Sequence, residues 1–161
     1  MKKYLLKILG VILLCGFISK PANLYNKGST NIEQIPEFAI SHILTAEAVY
    51  SACEFYGIIH PKIVVAQSIL ETGYYKSNIC IKYNNIFGLY DSYQKDYFKF
   101  NYWWESVEAY RNKVQCKLGK NYCSEEEYYK FLEELPYATD PNYVSKLQKI
   151  ISKCQTQNSK N

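Results

Sequence analysis

Between Pro61 and Gly73 the chain reads PKIVVAQSILETG, apolar at most positions and closed at both ends by residues that set helix limits. Proline suits a first helical turn, where its missing N–H has no intrahelical partner, and glycine ends a helix by taking the left-handed conformation. Ile63, Ala66, Gln67, Leu70 and Glu71 then share one face at helical spacing. A chain holding such a helix needs a core, and 161 residues of which 48% are apolar supply one for a single domain.

The flanking segments build outward from this helix. Ala39, Ile43, Ala46, Tyr50 and Cys53 recur at steps of three and four and predict one amphipathic helix from near Glu37, ended by Gly57. Asn84 to Trp103 is punctuated by Asn84, Asn85, Gly88, Asp91 and Ser92 among many Tyr and Phe residues, and predicts a loop with a short hairpin continuing in alternation through Tyr97, Lys99, Asn101 and Trp103. Helical spacing returns at Val107, Tyr110, Val114 and Leu118. Ser124 and Glu127 form a capping box ahead of Tyr128, Phe131, Leu132 and Leu135. Asp140 is placed to cap a last helix with Pro141 in its first turn and Val144, Leu147, Ile150, Ile151 and Cys154 as its buried stripe. The expected class is α+β, mostly helical, with one small aromatic β-like insertion.

Composition excludes several alternatives. Charged residues at 21% and aromatics at 16% do not fit a disordered or low-complexity chain. The formal charge is +4, yet Lys2, Lys3, Lys7 and Lys20 lie in the first twenty residues with no acid among them, so the remainder holds 15 bases against 15 acids. A neutral body gives no electrostatic case for nucleic acid as a partner. The same amino terminus places a basic segment before the apolar run Ile8–Ile18, the layout of an export signal and too short for a comfortable membrane span. Residues 1–22 are therefore expected to be a signal peptide or anchor, with lipidation at Cys15 as an alternative and any membrane contact confined to this segment. Residues 23–36 are expected to be a flexible lead-in, 37–155 the folded domain and 156–161 a frayed tail. The expected location is the periplasm or cell envelope of a bacterium.

Cys53, Cys80, Cys116, Cys123 and Cys154 follow the leader, an odd number that cannot all pair within one chain. A Cys116–Cys123 bridge would pin the turn between two helices, while Cys53 in its helical stripe reads as a small buried apolar residue. No Cys/His ligand spacing appears, so neither a metal nor another cofactor is expected. His42 and His60 are the only histidines, which leaves little material for hydrolases built on a histidine base. Carboxylate chemistry remains. Glu71 closes the apolar run VVAQSILE at the negative end of the helix dipole, and both surroundings disfavour the ionised form and suit a general acid. Gln67, one turn earlier on the same face, is a candidate substrate contact.

Three segments in order, IIHPKIVVAQSILETG at Ile58–Gly73, NNIFGL at Asn84–Leu89 and YATDPNY at Tyr137–Tyr143, resemble the bacterial glucosaminidase domain of glycoside hydrolase family 73 over roughly residues 40–153. The resemblance implies a lysozyme-like fold, expected to be monomeric, that cleaves peptidoglycan glycan strands at the N-acetylglucosaminyl β-1,4 linkage. It places Glu71 on the catalytic acid and Tyr137 on the active-site tyrosine, and it places Asn85, Phe87 and Gly88 in the segment lining the cleft. Tyr90 and its aromatic neighbours up to Trp104 suit a groove in which rings stack on sugar faces, or simply the packing of a small hairpin. Asp140 also matches and is read chiefly as a helix cap.

The sequence departs from the family in the lobe after NNIFGL, which is short. Asp96 is the nearest residue of the right type for a second carboxylate; Glu105 is better suited to the first turn of a helix. Without a second carboxylate, the sugar's own 2-acetamido group can attack the anomeric carbon while Glu71 protonates the leaving oxygen. A lytic transglycosylase and a weakly active or inactive peptidoglycan-binding module are the other readings.

Overall fold

The computed structural model describes residues 35–118, 124–135 and 140–158. Its helices are α1 (Glu37–Ser41), α2 (Ala46–Phe55), α3 (Pro61–Thr72), α4 (Asn78–Tyr83), α5 (Trp103–Lys113), α6 (Glu125–Glu134) and α7 (Tyr143–Asn158), with a 3-10 turn at Gln115–Leu118. Two strands, β1 (Tyr90–Asp91) and β2 (Asp96–Tyr97), pair antiparallel with Tyr90 opposite Tyr97. This is a lysozyme-like α+β fold in which the β-lobe has shrunk to one hairpin.

The apolar helix α3 lies at the centre. Every residue from Ile63 to Ile69 is buried, as expected of a helix that is hydrophobic on all sides, and α2 and α7 pack against it. His60 precedes it and Pro61 takes its first position, while Gly73 caps its end at φ 57°. Tyr74 and Tyr75 follow at φ 61° and 62°, a left-handed turn that costs non-glycine residues conformational energy. Local hydrogen bonds offset that cost. The Thr72 hydroxyl accepts the Tyr75 N–H at 2.8 Å and donates to the Ser68 carbonyl at 2.6 Å, and the Ser68 and Tyr75 hydroxyls meet at 3.0 Å.

The single helix expected from Glu37 to Gly57 is instead two. His42 turns left-handed at φ 57° to end α1, and the extended Thr45 starts α2 by accepting the Ala48 N–H on its hydroxyl. The break lets Phe38 bury itself against Phe55, Trp103 and Trp104, and it leaves Ile43, expected in the apolar stripe, exposed. Gly57 takes the left-handed conformation expected of it, at φ 69°.

Helix α4 was not anticipated. Ser77 caps it by accepting the Cys80 N–H, and Asn84 ends it left-handed while its amide donates to the carbonyls of Phe100 and Asn101. The hairpin stops at Tyr97, and Trp103 begins α5 with its ring in the core, so the expected alternation does not extend through residues 99–103. Ser124 and Glu127 make the capping box of α6 as read from the sequence. Helix α7 starts later than Asp140, buries Tyr143 where Val144 was expected, and runs past Gln155 to Asn158. Cys53, Cys80, Cys116 and Cys154 are free thiols, and burial pushes the Cys53 thiol up to about 12. Cys123, Tyr137 and residues 1–34, which hold the expected signal segment, lie outside the described residues. Among the described residues no helix is long and apolar enough to cross a membrane.

Candidate active site

Glu71 occupies the last turn of α3, and its carboxyl enters a small recess walled by Gln67, Phe87, Leu89, Tyr110 and Tyr143. The enclosed space is about 10 Å³, room for roughly one water molecule. Burial raises the carboxyl from its ordinary value of 4.5 to about 7, against a smaller opposing effect from the Tyr143 hydroxyl, which donates to Glu71 Oε1 at 3.0 Å. Near neutrality such a group exists in both forms, which suits it to hand over a proton.

Tyr143 comes from the first turn of α7, 72 residues from Glu71 in sequence. Behind it stands a buried chain of polar groups. Gln67 Nε2 donates to the Tyr143 hydroxyl at 3.1 Å, the Tyr110 hydroxyl donates to Gln67 Oε1 at 2.7 Å, and the Tyr110 and Tyr128 hydroxyls are 3.0 Å apart. Among the described residues no buried side-chain polar atom lacks a partner. The Phe87 ring lies 4.6 Å from that of Tyr110 and completes the apolar wall.

The family model described as mannosyl-glycoprotein endo-beta-N-acetylglucosaminidase matches residues 46–156, from the start of α2 to near the end of α7. The chain belongs to this glucosaminidase family. Among curated proteins and solved structures, none matches it significantly.

The glucosaminidase family groups glycoside hydrolases, and the site residues expected from the sequence distribute unevenly over this domain. Glu71 and Phe87 meet in the recess. Gln67 is there too, at 4% exposure, with its amide bonded to Tyr143 at one end and to Tyr110 at the other, which leaves little of it open to a substrate. Asn85 is fully buried; its side chain accepts the Leu89 N–H and donates to the carbonyls of Leu89 and Phe98, so it staples the loop and does not face a ligand. Gly88 takes φ 61°, the turn that carries the chain from Phe87 to Leu89. Tyr90, half-buried on β1, packs edge-on against Tyr97 and is not part of the recess.

Asp96 does not join Glu71. It is exposed on β2, where the Lys99 ammonium at 2.7 Å and the Tyr97 N–H hold its carboxyl below the usual range. Glu105 caps α5 by accepting the Asn101 N–H at 2.8 Å, and Asp140 accepts the Asn142 N–H and pairs with Lys146. Among the described residues, Glu71 is thus the one carboxylate lining the recess, and no cluster of His, Cys, Asp and Glu is arranged to hold a metal. Most rings of the insertion pack on one another, as in the stack of Tyr102 on Trp104 at 4.5 Å; Tyr93, at the hairpin tip, is exposed.

Tyr143 and Tyr110 were missed as site residues. Tyr143 closes the quoted YATDPNY segment, and its four-residue step to Leu147 on the buried stripe of α7 was the available signal. A larger groove of about 580 Å³ between α2, α3 and α7 shares no lining residue with the recess.

Proposed function

We propose that this protein is an exported peptidoglycan hydrolase that cleaves the N-acetylglucosaminyl β-1,4 bond of glycan strands, with Glu71 as general acid. The observation that carries this reading is the Glu71 carboxyl itself: half-buried in the recess, held by the Tyr143 hydroxyl at 3.0 Å inside an apolar wall, and raised to about 7. Family membership supports the bond class, and the basic and apolar segments before residue 20 support export.

The recess favours single-glutamate chemistry, because no second carboxylate lines it among the described residues. In that scheme Glu71 gives its proton to the glycosidic oxygen as the bond from that oxygen to C1 breaks. The oxygen of the sugar's 2-acetamido group attacks C1 and closes a positively charged ring. Water then opens the ring at C1 and returns a proton to Glu71, and the product keeps its anomeric configuration.

Digestion of purified peptidoglycan followed by mass spectrometry tests the proposal. New reducing N-acetylglucosamine ends are expected; anhydro-muramyl ends would assign the chain to lytic transglycosylases instead, and binding without release would leave it a wall-binding module. Proton NMR of the first-formed product reads the stereochemistry, and inversion would exclude attack by the acetamido group.

A further inference from the structure

We propose that Gln67, oriented by Tyr110, is a positioning residue that makes Tyr143 an obligatory hydrogen-bond donor to one oxygen of Glu71, so that the acid proton is carried by the other. The inference rests on Glu71 being the acid of the proposed reaction. Its basis is the direction of the bonds. The contact between Tyr110 and Gln67 Oε1 is 2.7 Å and that between Gln67 Nε2 and the Tyr143 oxygen is 3.1 Å, distances that match O–H···O and N–H···O bonds respectively in the orientation the amide takes here. Tyr110 spends its one proton on the amide oxygen, so in its pair with Tyr128 it accepts. The amide N–H then occupies the Tyr143 oxygen, and the single Tyr143 proton points to Glu71 Oε1.

The reverse arrangement has a chemical cost. With the amide turned over, Tyr143 would give its proton to Gln67, and an ionised Glu71 would face a hydroxyl lone pair. A protonated Glu71 would place its proton on Oε1, bound to Tyr143 inside the wall and away from any leaving oxygen. In the observed polarity Oε1 accepts in both protonation states, and the transferable proton sits on Oε2. Mutual polarisation along a buried chain of this kind strengthens each bond beyond its isolated worth.

The test follows the carbon-13 shift of the Glu71 carboxyl through a pH titration, a readout independent of catalysis, beside the pH profile of glycan release. Tyr143→Phe removes the donor and is expected to raise the Glu71 midpoint by about one pH unit, the scale of one hydrogen bond to a carboxylate. Gln67→Leu, which leaves Tyr143 in place without its orienting amide, is expected to raise the midpoint in the same direction by roughly half a unit. The double variant is expected to titrate like Tyr143→Phe alone, because the amide acts only through that hydroxyl. A Gln67→Leu midpoint equal to the parent's, or a shift that adds in full to that of Tyr143→Phe, overturns the proposal. Gln67→Met, unbranched and without an amide, gives the same reading if the leucine variant does not fold. Glycan release retained by Glu71→Gln would refute the acid assignment alone, since the titration still reports the polarity of the chain.

Discussion

Asn85 and Leu89 grip each other in both directions: the Leu89 N–H donates to Asn85 Oδ1 and the Asn85 amide donates back to the Leu89 carbonyl, each at 2.9 Å. Two residues of the intervening loop face consequences. Phe87 and Leu89 both wall the recess around Glu71, so a staple hidden from solvent sets the shape of the site.

Asn85→Ala should therefore act on stability first. It strands the buried Leu89 N–H and takes a donor from the Phe98 carbonyl, while the Leu89 carbonyl keeps the Phe98 N–H; the expected loss is about 2 kcal/mol in urea unfolding, with a fall in glycan release as the wall loosens. A variant as stable as the parent would remove Asn85 from the scaffold and return it to the list of ligand contacts.

The raised Glu71 carboxyl makes activity and stability decline together as pH rises. Because the acid must be protonated, kcat/KM should fall as pH rises through about 7. The folded chain also holds this proton more tightly than the unfolded chain does, with an ordinary value of 4.5 moving to about 7, so this group's contribution to stability declines as pH rises across that interval. Glu71→Gln removes the burden. It is expected to abolish glycan release while raising unfolding free energy at pH 8 by about 2 kcal/mol relative to the parent and changing it little at pH 4. Equal stability differences at both pH values would contradict the buried-acid assignment.

Asp96→Asn separates the hairpin from the chemistry. Its carboxylate is exposed and tied to Lys99, an arrangement worth little in water, so turnover of purified peptidoglycan should stay within about twofold of the parent. A loss of a hundredfold or more would make Asp96 the missing second carboxylate and exclude the acetamido route.

Gly73→Ala probes the end of α3. The position has φ 57° with nothing within 4 Å of an added Cβ, so the cost is conformational alone, about 1 kcal/mol, read by thermal or urea unfolding. A loss several times larger would mean that the left-handed turn through Tyr74 and Tyr75 cannot adjust.

What the sequence revealed was local. The capping box of Ser124 and Glu127, the stop at Gly73 and the isolation of Glu71 in an apolar helix each depend on residues within a turn or two, and each appears in the structure. The break between α1 and α2 did not show, because it is decided by Phe38 finding Phe55, Trp103 and Trp104 across the fold. Asn85 was placed at the cleft by the resemblance of NNIFGL to a cleft-lining segment; only Leu89 and Phe98 closing around it reveal a staple. Tyr143 was hidden for the same reason as the helix break. Its partner is 72 residues away, and the four-residue step to Leu147 marks Tyr143 as buried without saying what it meets.

That distance between partners has a consequence for when the enzyme comes into being. A ribosome-bound chain that has completed α3 but not yet α7 carries Glu71 without Tyr143 or the wall that α7 builds over it. Water then reaches the carboxyl, which stays an ordinary ionised glutamate near neutral pH. On the proposed reading the docking of α7 is what turns an ordinary carboxylate into a proton donor, so a chain without α7 in place lacks the acid that the reaction needs.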